Sequence, residues 1–388
     1  MADLDTRFRR LDGVHGPDLW PDIETREPRP MADGGTGRRV AAGVVALALA
    51  AGGAVLAVRA FVGDPRSERP AQPAESPAAP VEPVVDMTLP IRWPTSIAHG
   101  EGSIWVAESA NDGTGAGTVY RIDPDSAEIL AEIAVPSVPG WEVGGSGMEA
   151  AGGSLWIAGY YDDGSQGALI RIDATTNELA DVLPLGGQFA GDVAVDERGV
   201  WVTLFSEPSM ELVRVDPQGM VIDLRTSLGV DWAREVVSVD GHVWIEAMRN
   251  RLLRIDPATG VVVQETRVPG SWSVTAADGD IWATSWTEED GNTLVRIDPA
   301  TGGTESFPSG PLDGLIEVGG GGVWGRGRGL GEGSGGVGIV RLDPATGRID
   351  ASLQLTETKN PIDLAVAPGS VWVAYYEKGV TRVELRPA

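Results

Sequence analysis

Two motifs that each recur seven times, with three apolar columns travelling alongside them, predict an all-β fold. It is a seven-bladed β-propeller of four-stranded blades with N-terminal strand closure, preceded by a disordered tail, one transmembrane helix and a Pro-rich linker. The first motif is centred on Trp105 (GSIWVAES), Trp156 (GSLWIAGY), Trp201 (RGVWVTLF), Trp244 (GHVWIEAM), Trp282 (GDIWATSW), Trp324 (GGVWGRGR) and Trp372 (GSVWVAYY). The spacings are 51, 45, 43, 38, 42 and 48 residues, the period of a propeller blade. The second motif follows each Trp: YRIDP at Arg121, IRIDA at Arg171, VRVDP at Arg214, LRIDP at Arg254, VRIDP at Arg296, VRLDP at Arg341 and TRVEL at Arg382.

The columns behave as strands. An apolar residue precedes every Trp, another lies eight positions before it, and a third lies two before every Arg. Short runs rich in Val and Ile, broken by Gly, Asp and Pro, read as strands. Runs apolar on both sides suit blades packed between neighbours. The innermost strand ends before the Trp, the second contains it, the third contains R-I-D, and an outer strand follows. The Asp of R-I-D, commonly followed by Pro-Ala-Thr-Gly, reads as a turn former. The chain stops just after a third strand, at Arg386-Pro387-Ala388, so the seventh blade lacks an outer strand. Residues 84–89 (VVDMTL) align with the outer strand ASLQLT at 351–356, and are expected to complete that blade and close the ring.

The pattern G-x-[IV]-W-V-A followed by R-I-D-P-x-T-G resembles the bacterial seven-bladed propellers that include virginiamycin B lyase and the YVTN/YncE-type repeat proteins. The resemblance covers about residues 84–388. It implies the fold strongly and the function weakly, because unrelated activities share such rings.

Three segments precede the ring. Residues 1–39 hold seven Arg and eight acids and read as a mostly disordered cytoplasmic tail. Leu4, Phe8 and Leu11 form one short helical stripe there, a candidate docking element in residues 1–30 for a cytosolic partner. Residues 40–58 (VAAGVVALALAAGGAVLAV) carry no polar side chain. As a helix they span roughly 28 Å, near the hydrocarbon thickness. A cleaved signal peptide is the rival reading, with a permissive site at Ala48-Leu49-Ala50, but 39 residues are long for a signal's leading region. Residues 59–83 are Pro-rich, a stiff spacer. The expected location is therefore the cell membrane, single-pass, with the N-terminus cytoplasmic and the propeller extracytoplasmic.

Composition removes several chemistries. Fifty-six acids against 30 bases give a net charge of −26, which repels nucleic acid. Zero Cys excludes disulfides, thiol nucleophiles and Cys-ligated metals. Three His leave little for a multi-His centre.

The face that carries the outer-to-inner loops and the loops between second and third strands also holds the channel mouth. Positions nine and seven before each Trp should face the channel. They include Glu149, Asp192, Glu235, Glu317 and Asp363, and no base. Converging carboxylates invite a cation, and oxygen-only ligands suit Ca²⁺ or Mg²⁺; a water-filled acidic channel is the plainer alternative. Trp93, Trp141, Trp232 and Trp272 lie in the outer-to-inner loops, and Tyr160, Trp286 and Tyr375 at second-strand ends. Rings at a polar mouth suit a protein, peptide or glycan ligand.

The resemblance to the lyase implies a His with nearby acids and Mg²⁺ on this face. His99 and His242 are the only histidines in the ring, and only Glu108 stands three residues after its Trp as that pattern requires. The paired arrangement is not visible, and no nucleophile–base constellation is found. The leading expectation is thus a membrane-anchored extracytoplasmic binding module without catalysis of its own. The alternative is a divalent-metal-dependent lyase or lactone hydrolase.

Overall fold

The computed structural model describes residues 80–388, apart from 111–115, 137–146, 161–165, 248–249, 331–335, 357–360 and 376–378. The expected tail, the apolar run 40–58 and all but the end of the linker lie outside the described residues. Among the described residues no helix is long and apolar enough to cross a membrane.

Seven antiparallel four-stranded sheets form, each containing one Trp motif and one Arg motif. The inner strands are Pro94–Gly100, Met148–Ala151, Phe189–Asp196, Ala233–Val239, Ser271–Ala277, Leu312–Gly319 and Pro361–Ala367. Each lies beside the next, and the seventh returns to the first, so the sheets stand as blades around one axis. Blades one to six take their strands in chain order from the axis outward. The seventh takes its outer strand, Val81–Leu89, from the start of the ring; it pairs with Gly379–Pro387. That strand begins at Val81, ahead of the expected boundary at 84. Pro83 sits in it opposite Leu385, tolerated because an outermost strand leaves one edge without ladder bonds.

The repeated residues have separate physical jobs. The seven motif tryptophans are at most 3% exposed and fill the seams between blades. Trp105 packs among Met148, Leu155 and Ile157 of the second blade. Trp372 packs among Ile97, Ile104 and Val106 of the first, closing the circle with the same contact. Each motif Arg lies directly opposite its Trp in the ladder, as Arg121 does Trp105. In six blades its guanidinium lies 5.1–5.9 Å from the indole centroid, a cation–π distance. The same groups tie blades together: Arg171 Nη1 donates to the Pro217 carbonyl (3.0 Å) and Arg214 Nη1 to that of Pro257 (2.7 Å). In the fourth blade Arg254 instead meets His242 Nδ1 at 2.9 Å.

The Asp that follows the Arg in the first six blades is a turn former, as the sequence implies. Asp123, Asp173, Asp256, Asp298 and Asp343 each accept two backbone N–H bonds from their own turn. The Gly two positions before the motif's aliphatic residue has a similar origin. Gly241 and Gly279 have φ of 74° and 79°, each after a residue also at positive φ (Asp240, Asp278), the pattern of a tight hairpin turn.

Candidate functional site

The inner strands surround a cavity of about 290 Å³. Of the fourteen positions expected to face it, all but Ser96 and Gly147 line it, and the five acids Glu149, Asp192, Glu235, Glu317 and Asp363 are all among them. The structure therefore brings these carboxylates together around one space.

Their partners explain why acids sit there. Most inner strands carry a β-bulge: the ladder breaks between Ala190 and Val193, between Ala233 and Val236, and between Pro361 and Asp363. A bulge releases backbone groups from the ladder, and the axis-facing edge of an inner strand has no further strand beside it. Four of the five carboxylates take up backbone N–H groups of the neighbouring blades across the seams. Asp192 Oδ1 accepts from Gly147 N (3.0 Å) in the second blade, and its Oδ2 from Val236 N (3.0 Å) in the fourth. Asp363 accepts from Ile97 N (2.9 Å) and Ser96 Oγ (3.0 Å). Glu149 accepts from Val195 N (2.7 Å), and Glu235 accepts from Val274 N. Glu317 accepts from Thr275 Oγ1 at 3.3 Å.

Burial dominates the electrostatics of the five, as desolvation penalises their charged forms. It raises Glu149 and Glu317 to about 8, Asp363 to about 7 and Asp192 to about 6. Glu235 is also raised well above its usual range, opposed by Arg234, whose Nη2 stands 3.8 Å from Glu235 Oε1. Near neutral pH the set is therefore partly protonated. Among the described residues no group of three or more His, Asp and Glu stands close enough to hold a metal ion. The donor set expected for Ca²⁺ or Mg²⁺ is instead spread around the cavity, each member turned to a neighbouring strand.

The histidines do not join an acid–base pair. His99 lines the cavity, and burial lowers its pKa. His242 starts a second strand at the opposite face, where burial and Arg254 lower its pKa. Glu108, the one acid matching the lyase pattern, clamps a loop: Oε1 accepts from Arg92 N (2.7 Å) and Trp93 N (3.2 Å), and Oε2 from the Tyr120 hydroxyl (2.6 Å).

The aromatic residues divide into three sets. Tyr160, Phe189, Phe205 and Trp232 form one half-buried cluster over the third blade, with Phe189 and Phe205 stacked at 5.0 Å and Trp232 5.8 Å from Phe205. Trp93 is also half-buried, with the Arg92 guanidinium 5.3 Å from its centroid. Trp272 and Trp286 are open, at 41% and 52% exposure. Tyr375 corrects the sequence reading. It is 4% exposed and packs with Val371 and Val373, whose side of the strand it shares by alternation; it is core, not ligand surface. Trp141 lies outside the described residues.

Trp272 and Trp286 lead to a feature that the repeat reading passes over. They stand at a groove of about 680 Å³ between the fifth and sixth blades, with Thr284, Asn292, Arg326 and Arg328. The sixth blade has the widest of these ladder breaks, from Leu312 to Ile316, and Asp313 and Gly314 from that break join the lining. Its Trp motif runs on as G-R-G-R where every other blade continues with an apolar residue, Val, Ile or Ala, and has no Arg in the four residues after its Trp. Those two Arg are the signal in the sequence.

These features define a closed seven-bladed β-propeller with a loop-bearing face rich in rings. Comparisons agree on the fold. A family model described as a repeat of unknown function (DUF6923) matches residues 202–334. The Neurospora crassa Pan2 WD40 domain is similar in structure at a TM-score of 0.57 and 8% identity, over 81% of this chain and 97% of that one. Kuenenia stuttgartiensis hydrazine synthase is similar at a TM-score of 0.57 and 14% identity, over 78% of this chain and 99% of that one. No match was found among curated proteins. At these identities the structural likeness speaks for the fold alone.

Proposed function

We propose that the chain is a binding module that engages its ligand through the loop-bearing face of the ring. The observation that carries this reading is the pair of open indoles, Trp272 and Trp286, beside a groove of about 680 Å³. A volume of that size suits a small ligand or a peptide segment, and aromatic rings with an apolar face and a polar handle suit contact with one. A WD40 domain stands among the similar structures, a kind of ring commonly used to bind proteins. Four of the five acids of the central cavity are occupied as caps on neighbouring backbone, which argues for structure over catalysis. The finer relation, to the YVTN/YncE-type and virginiamycin B lyase-like propellers, rests on the motif resemblance.

In this reading residues 40–58 anchor the chain in a membrane, and the Pro-rich stretch holds the ring outside the cytoplasm. Support comes from the nineteen-residue apolar run and from a Cys-free acidic ring suited to export. Protease protection of residues 1–30 in intact cells, with cleavage of the ring from outside, is the expected result; the reverse pattern rejects the orientation. For binding, the full chain is screened on glycan and peptide arrays. A specific ligand lost on W272A and W286A supports the proposal. A ligand indifferent to both, and to W232A, sinks it.

A further inference from the structure

We infer that the groove between the fifth and sixth blades is a binding site for a carbohydrate bearing carboxylate groups. The inference rests on the binding reading above and names its ligand class.

The geometry carries it in three steps. The indoles of Trp272 and Trp286 offer flat apolar surface at the groove while polar groups surround them. A pyranose ring has a matching structure, with C–H faces that lie on an aromatic plane and hydroxyls around its edge. Thr284 is the second observation. Its Oγ1 is buried, at 3% residue exposure, and has no hydrogen-bond partner among the described residues. The equivalent Thr203, also two residues after its Trp, donates to the Arg234 carbonyl of the next blade at 3.0 Å. In the fifth blade the neighbouring inner strand is the one whose ladder break is widest, and Thr284 stands in the groove wall with its hydroxyl just beneath the surface. A buried hydroxyl with no partner costs stability, and a ligand hydroxyl supplies what is missing.

Charge provides the third step. Arg326 and Arg328 share one carboxylate: Arg328 Nε meets Asp313 directly, and Arg326 Nη2 lies 3.6 Å from it. Arg326 also donates from Nε to the Asp313 carbonyl at 2.8 Å and from Nη1 to the Pro361 carbonyl at 3.4 Å. Among the described residues these two guanidinium groups share the single carboxylate of Asp313. Arg328 keeps a half-exposed side chain with N–H groups to spare, and a guanidinium fork fits a carboxylate with two parallel bonds. A neutral sugar leaves that fork unused. An aliphatic lipid leaves the Thr284 hydroxyl without a partner.

The test uses the full chain in detergent and reads tryptophan fluorescence and calorimetric titration. The probes are tri-galacturonate and a mixed panel of uronate oligosaccharides, with their methyl esters as neutral controls. Binding of an acidic oligosaccharide is expected, weakened roughly tenfold or more by esterification, as charge-assisted bonds imply. W286A is expected to weaken it by a similar factor. R328Q is expected to weaken binding of the acid roughly tenfold or more, and so to remove its preference over the ester. Both side chains are exposed, so neither change threatens the fold. No binding by any acidic member overturns the inference, as does binding unmoved by both variants. An array ligand of another class that still depends on Trp272 and Trp286, an acidic peptide for example, overturns the carbohydrate assignment and leaves the binding module standing. A face that captures nothing at all fails both.

Discussion

Asp192 Oδ2 accepts the backbone N–H of Val236 at 3.0 Å, across the seam between the third and fourth blades. Its other oxygen takes the Gly147 N–H from the second blade, so one side chain ties three consecutive inner strands. D192A leaves two buried donors unmet and is expected to cost about 2–4 kcal/mol, at 1–3 per donor with partial relaxation. Urea unfolding followed by tryptophan fluorescence measures it. A loss below about 0.5 kcal/mol, the range of ordinary surface changes, would show that the caps are decorative.

The cavity acids set a pH dependence. Their folded-state pKa values lie above the ordinary carboxylate range, at about 8 for Glu149 and Glu317 and about 7 for Asp363. The folded ring therefore holds protons that the unfolded chain has released. Their contribution to stability is fully present below the unfolded value near 4 and is lost as pH rises towards 8. The melting temperature is expected to fall between pH 5 and pH 8, and E149Q with E317Q to flatten that fall. A melting temperature that climbs over this interval contradicts the burial of these groups.

Divalent cations are expected to leave the ring's melting temperature unmoved. Each acid is committed to a neighbouring strand, and no three of the described carboxylates and imidazoles stand close enough to hold a metal ion. Scans with millimolar Ca²⁺, with Mg²⁺ and with EDTA make the check. A tight native-state ligand would stabilise by mass action, so a clear upward shift restores the metal-dependent alternative.

The Arg of each repeat is expected to matter through its shape as much as its charge. Arg171 lies 5.3 Å from the Trp156 centroid and bonds Ser154 Oγ and the Pro217 carbonyl. R171A is expected to destabilise by about 1.5–3 kcal/mol, combining a desolvated cation–π contact with lost hydrogen bonds. R171K keeps the charge but loses the planar fork, and should recover less than half of that. Full recovery by Lys in a chemical melt would mean that simple charge suffices.

Much of the fold is legible before any coordinates, because each blade must solve the same packing problem. A Trp at the seam, an Arg laid over it and an Asp in the following turn recur for the same reason seven or nearly seven times. The closing strand is legible from one missing outer strand. The site is legible only in part. Alternation of positions about the Trp places Asp192, Glu235 and Asp363 on the channel, but the bulges that convert them into backbone caps break that periodicity and leave no mark of their own. Tyr375 reads as exposed from its place at a strand end, whereas its depth depends on the neighbouring blade. The groove beside Trp286 hides for the opposite reason. It exists where the sixth blade departs from its siblings, at Leu312–Ile316 and at Arg326 and Arg328, and a consensus built from repeats averages such departures away.

The strand Val81–Leu89 meets Gly379–Pro387 at eight paired positions, with Val81 opposite Pro387. It enters at the face opposite the aromatic mouth and runs towards it. A tug between the incoming chain and a ligand held at the mouth therefore acts lengthwise along this pair. All the rungs must then give way together, as in a shear joint, where a peeled strand would release them singly. The seam that shuts the circle is thus also the part best placed to bear mechanical load.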